Sequence, residues 1–147
     1  MEVTNAAVSG DTATGGLERL DWALGPQTDA VILELGANDM LRGLDPAVTS
    51  RALDAILTRL GERGVRVLIA GMTAAPNLGA DYGARFSALY TELAAAHGAS
   101  LYPFFLAGVA ADPRLNLSDG MHPNRAGVEA IVARILPSVE ALLKQGG

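Results

Sequence analysis

Asp119-Gly120-Met121-His122-Pro123-Asn124 sets a carboxylate three residues ahead of an imidazole, just before a long amphipathic run. The spacing suits hydrogen bonding between the two side chains. If the Asp accepts from one ring nitrogen, the other is left as a proton acceptor. Such a pair is the base half of a nucleophilic triad, and a base needs a nucleophile to activate. Pro123 and Asn124 suit a helix start, because a proline is tolerated in a first turn. Taken alone, the segment also fits a loop Asp beside a surface His at a helix cap.

Two other segments carry groups that suit an oxyanion. Gly36-Ala37-Asn38-Asp39 follows an apolar run, and Asn38 offers an amide NH2 that can stabilise developing negative charge. One donor of that kind is worth ~3 kcal/mol in a transition state. Asp39 is expected to cap the turn that follows. Ser9-Gly10-Asp11-Thr12 lies further upstream, where Gly10 can present its backbone N–H to the same charge. Each segment alone also reads as a plain turn, the second ending in an N-cap. No clear nucleophile motif precedes the Asp–His pair. Ser9 and Thr12 are candidates for a recruited nucleophile, and Ser118 is a weaker one because its side chain need not point towards His122.

The elements that must hold these residues are legible from the apolar pattern. Ala30 to Leu35, Val65 to Ala70 and Ser100 to Tyr102 read as buried strands, and Glu2 to Asn5 as a fourth. Leu17, Leu20 and Leu24 suggest a short early helix. Leu53, Ile56, Leu57 and Leu60 share one helical face, as do Phe86, Leu89, Tyr90 and Leu93. A last helix carries Val128, Ile131, Val132, Ile135, Val139, Leu142 and Leu143 on one stripe. Strands alternating with helices predict a parallel sheet covered on both faces. In such sheets ligands bind beyond the carboxyl ends of the strands. Gly36 to Asp39, Gly71 to Gly83 and the loop leading to Asp119 all fall there.

Composition narrows the function classes. The 147 residues fit one domain, read as residues 1–147, with half of them hydrophobic. Sixteen acidic residues face 11 basic ones, giving a net charge of -5. No basic run exists, which argues against nucleic acid as a partner. The chain has no cysteine, so disulfides, thiolate metal sites and cysteine nucleophiles are excluded within it. No metal site or cofactor motif is expected. No Gly-x-Gly-x-x-Gly follows a strand and no Walker-type lysine exists, which disfavours a nucleotide binder. No apolar run approaches the ~20 residues of a membrane span. The N-terminus does not read as a signal peptide, and the compartment stays open.

Read jointly, these phrases resemble the SGNH hydrolases, the GDSL-type esterase and lipase superfamily, and within it the thioesterase I and arylesterase branch. The resemblance rests on Val8-Ser-Gly-Asp-Thr12, Leu35-Gly-Ala-Asn-Asp39, Leu41-Arg-Gly43, Ala75-Pro-Asn-Leu-Gly79, Tyr102-Pro-Phe-Phe105 and Asp119-Gly-Met-His-Pro-Asn124, in order along essentially the whole chain. It implies that His122 is the general base, Asp119 its orienting carboxylate, and Gly10 and Asn38 the oxyanion donors. It implies that Ala74 to Gly83, with Pro76, Asn77 and Leu78, is a mobile loop shaping the substrate pocket. His97 matches nothing catalytic and reads as a surface position at a helix end. Related enzymes are often periplasmic or secreted.

One departure is large. The family opens with a strand and a Gly-Asp-Ser whose serine is the nucleophile; here the matching phrases begin at the second block. The echo of that opening in Gly10 to Leu17 is read as coincidence. The resemblance implies a three-layer α/β/α flavodoxin-like sheet without its first, central strand and first helix. Glu2 to Asn5 would then have no neighbour, and Ala30 to Leu35 would become an open edge prone to self-association. Two function classes follow. One is a carboxylic-ester hydrolase of arylesterase, lipase or thioesterase type, acting on a small-molecule ester or thioester. The other is a catalytically impaired domain that binds acyl ligands or only self-associates. A homo-oligomer formed through the exposed sheet edge is expected.

Overall fold

The computed structural model describes residues 2–145. Three parallel strands form the sheet: β1 (Ala30–Leu33), β2 (Arg66–Ala70) and β3 (Ser100–Tyr102), in that spatial order. Ala30 pairs with Arg66 and Leu33 with Ile69, while Leu68 pairs with Ser100 and Ala70 with Tyr102. Among the described residues, helical segments surround the sheet: α1 (Ala13–Ala23), α2 (Ala37–Leu41), α3 (Pro46–Glu62), a 3₁₀ turn (Pro76–Leu78) that we label α4, α5 (Ala80–His97) and α6 (Arg125–Lys144). The alternation of strand and helix matches the architecture expected from the apolar pattern.

Glu2 to Asn5 is not a strand. It is exposed, and no strand precedes Ala30 among the described residues. A strand's backbone groups need a partner, and among the described residues β1 pairs with β2 alone, so the segment has no ladder to join. The β1 edge away from β2 is correspondingly open, with Ile32 48% exposed.

Side-chain alternation splits the core between the two faces of the sheet. Val31, Leu33, Val67 and Ile69 face the larger core, with α1, α3 and α5. Leu53, Ile56, Leu57 and Leu60 of α3, and Phe86, Leu89, Tyr90 and Leu93 of α5, are all buried there. Ala30, Leu68, Ala70 and Tyr102 face the other way, against Ile135, Val139 and Leu142 of α6. The apolar stripe of α6 is wider than the surface that covers it. Ile131, Ile135 and Leu142 are buried, but Val128, Val132 and Leu143 are exposed, as is Leu136. The rest of the stripe faces solvent. Among the described residues no helix is long and apolar enough to cross a membrane.

Candidate active site

The Asp119–His122 pair forms. His122 Nδ1 lies 2.6 Å from an Asp119 carboxylate oxygen, while the second oxygen accepts from the backbone N–H of Met121 at 2.9 Å and of His122 at 3.0 Å. The His122 N–H, the His122 ring and the Met121 N–H hold the Asp119 carboxyl well down, to about 2. With Asp119 ionised, Nδ1 carries the proton and Nε2 is left to accept one. The imidazole is exposed, with 68% of its side chain accessible.

The loop that presents this pair is locked by its own hydrogen bonds. Leu117 N–H donates to the His122 carbonyl at 2.7 Å, and Asn116 forms an isolated antiparallel bridge with Pro123. Asn116 is buried, and its amide donates to the carbonyls of Val109 and Asp112. Asn124 caps α6 by accepting from the Gly127 N–H, and its NH2 donates to the carbonyls of Arg114 and Asn116. A Cβ on Gly127 would stand 2.1 Å from the Leu115 carbonyl oxygen, so only glycine lets the helix start this close to the loop. The sequence suggested the cap; it gave no sign of the buried Asn116 bracket.

The two oxyanion candidates also come together. Asn38, in α2, donates its amide to the Asp11 carbonyl at 2.9 Å, which leaves its second N–H. The same helix and its C-cap residue hold this region at two further points. Arg42 donates to the Gly10 carbonyl at 2.8 Å, and an Asp39 carboxylate oxygen accepts the Ala13 N–H at 2.9 Å. Asp39 therefore caps α1, not the turn that follows its own position. Its side chain runs into the core, where the first N–H of α1 needs an acceptor. Thr12 is the N-cap proper, accepting from the Gly15 N–H, so its hydroxyl is engaged at the helix mouth. Asp11 is paired with Arg19, which also donates to the Ala6 carbonyl at 2.6 Å. Ala7, Val8, Asp11 and Arg19 on one side and Glu34 to Asn38 on the other line a small cavity of about 90 Å³. Burial raises the Glu34 carboxyl beside it.

Gly36 makes the bend that places Asn38. Its φ is 109°, and a Cβ there would meet the Tyr90 hydroxyl at 2.2 Å. That hydroxyl donates to the Leu35 carbonyl at 3.0 Å, and burial drives its ionisation far above the ordinary tyrosine range.

In the chain the Gly36 turn follows β1 and the Asp119 loop follows β3, and β2 lies between those two strands in the sheet. No hydrogen bond joins the two halves of the site among the described residues. The side-chain partner of the His122 ring is Asp119; Ser9 and Ser118 are exposed and do not bond to it. Pro76 and Asn77 lie exposed in α4, while Leu78 packs against the larger core. His97 ends α5 and pairs with Asp54 of α3 at 2.7 Å, apart from either half.

The GDSL-like lipase/acylhydrolase family model matches residues 1–130. The chain belongs to this family. It is 38% identical over 142 residues to esterase TesA of Pseudomonas aeruginosa, covering 96% of this chain and 71% of that protein. It is 40% identical over 124 residues to thioesterase 1/protease 1/lysophospholipase L1 of Escherichia coli K12, covering 84% of this chain and 60% of that protein. The fold agrees. A crystal structure of TesA superposes with a TM-score of 0.90 at 37% identity, over 96% of this chain and 79% of the other. This GDSL-like chain thus spans between three-fifths and four-fifths of the length of these relatives.

Proposed function

We propose that the chain carries the base and oxyanion machinery of an acyl-ester or thioester hydrolase. The observation that carries this is the 2.6 Å contact between His122 Nδ1 and an Asp119 carboxylate oriented by two backbone N–H groups. In the proposed reaction His122 Nε2 takes the proton of an attacking hydroxyl. The imidazolium so formed is held by Asp119 through Nδ1–H. The hydroxyl oxygen bonds to the acyl carbon, and the carbonyl oxygen becomes an oxyanion facing the Gly10 N–H and the free Asn38 N–H. Collapse expels the alcohol or thiol, which takes the proton from Nε2; water then releases the acid by the same steps. Family membership and relatives named as an esterase and a thioesterase support this reading.

The hydroxyl is the open element. Ser9 and Thr12 stand beside the oxyanion turn, and a serine on a segment outside these residues would serve as well. That no serine bonds to His122 among the described residues favours a second reading, an acyl-binding domain without turnover. Intact mass after fluorophosphonate treatment separates the two. A serine or threonine adduct supports the hydrolase, and an unmodified chain with no p-nitrophenyl acetate turnover supports the binder. If turnover is present, His122→Ala lowers it by roughly 10²–10⁴-fold. Retained turnover in that variant sinks His122 as the base.

A further inference from the structure

Asp39 has no part in the proton transfers above, yet its carboxylate is fully buried between the two oxyanion segments. One oxygen accepts the Ala13 N–H at 2.9 Å, at the first residue of α1. The other accepts the Thr49 hydroxyl of α3 at 3.1 Å, and Thr49 is itself fully buried. A buried carboxylate is costly unless its oxygens are bonded, and here both are. The N-terminus of α1 adds a favourable field for the negative charge. Asp39 follows Asn38 directly, and Ala13 lies three residues after Gly10. One side chain thus fixes where the Gly10 turn sits relative to the Asn38 amide.

We propose that Asp39, braced by Thr49, is a positioning residue that sets the spacing of the Gly10 and Asn38 donors. The proposal rests on the hydrolase reading for its catalytic consequence. Its geometric content stands apart from that reading. Arg42 on the Gly10 carbonyl and Asn38 on the Asp11 carbonyl are exposed or half-buried contacts. The Asp39 contacts are buried on both sides and define the register. Asp39→Ala removes both bonds. Asp39→Asn keeps both, since the amide oxygen accepts from Ala13 and the NH2 donates to the Thr49 oxygen.

The test reads the Gly10 backbone amide and the Asn38 side-chain NH2 by ¹H–¹⁵N NMR, with ester hydrolysis measured alongside. Asp39→Ala is expected to shift or broaden both signals and to lower kcat on the order of 10²-fold with KM little changed, the size of loss that follows small misplacement of reacting groups. Asp39→Asn is expected to restore both signals and most of kcat. Leu60→Ala, which empties a buried site on α3, lowers the melting temperature and leaves the two signals in place. Should Asp39→Ala fail to fold, Thr49→Val removes one brace of nearly equal shape and is expected to move the same signals less. Unmoved signals in a folded Asp39→Ala, or in Thr49→Val if that is the variant that folds, overturn the proposal. Moved signals in a protein whose wild type hydrolyses no ester keep the positioning role and discard the hydrolase reading.

Discussion

Asp119 shows how much a short motif can specify. It stands three positions before His122, and the turn they span aims two N–H groups at one carboxylate oxygen, leaving the other for the ring. These contacts lower its pKa in the folded chain to about 2, below the ordinary carboxylate value. A depressed carboxylate contributes stability that is fully present above the unfolded value near 4, and loses it as pH falls through the folded one. The His122–Asp119 contact should therefore persist from neutral pH to about pH 3 and break towards pH 2. Following the Asp119 carboxyl carbon by NMR checks this; a midpoint near 4 means the contact is not maintained in solution. The motif was legible because donors and acceptor lie within four residues. Asp39 was misread for the opposite reason. Its partners, Ala13 and Thr49, lie 26 and 10 residues away, and a local rule assigns an Asp after Asn to its own turn.

At the scale of elements, the helices on the larger core were readable almost residue by residue, because a 3.6-residue period survives wherever the whole stripe is buried. The α6 stripe was not. Its sequence period gives which residues share a face, whereas burial depends on how far the sheet extends beneath it. The start of α6 matters more to the site than its stripe. Asn124 caps the helix and ties down the loop through Arg114 and Asn116, so one side chain couples the helix mouth to the Asp–His pair. Asn124→Ala should cost about 1–2 kcal/mol, the range of a lost cap. It should also speed amide exchange at Leu117, whose N–H closes the loop onto the His122 carbonyl. Thermal melts and hydrogen exchange measure the two effects. A stability loss with Leu117 exchange unchanged would show that the cap and the loop are independent.

For the molecule as a whole, the governing feature is the free side of β1. Parallel strands buried on both faces are normally covered by pairing as well as by packing; here, among the described residues, the backbone of Ala30 to Leu33 is paired on one side only. Ile32 on that edge and Val128, Val132 and Leu136 along α6 are each about half exposed. The three α6 residues, four apart, make a continuous ridge on one face of the helix. An open strand edge beside apolar side chains is a template for pairing with another chain, and natural edges are usually blunted by charge, proline or a bulge. Asp29 and Glu34 flank this one, but the run between them carries no charge. We therefore propose that the purified chain self-associates through β1, and that light scattering gives a mass above the 15.2 kDa of one chain. Ile32→Lys places a charge on the edge without touching either core and should shift the distribution towards monomer. Trp22→Lys is the control, since Trp22 is 74% exposed on α1 and is not part of β1. If both variants dissociate alike, the contact is general stickiness and not strand pairing. If the wild type is a monodisperse, cooperatively melting monomer, the β1 edge is tolerated as it stands.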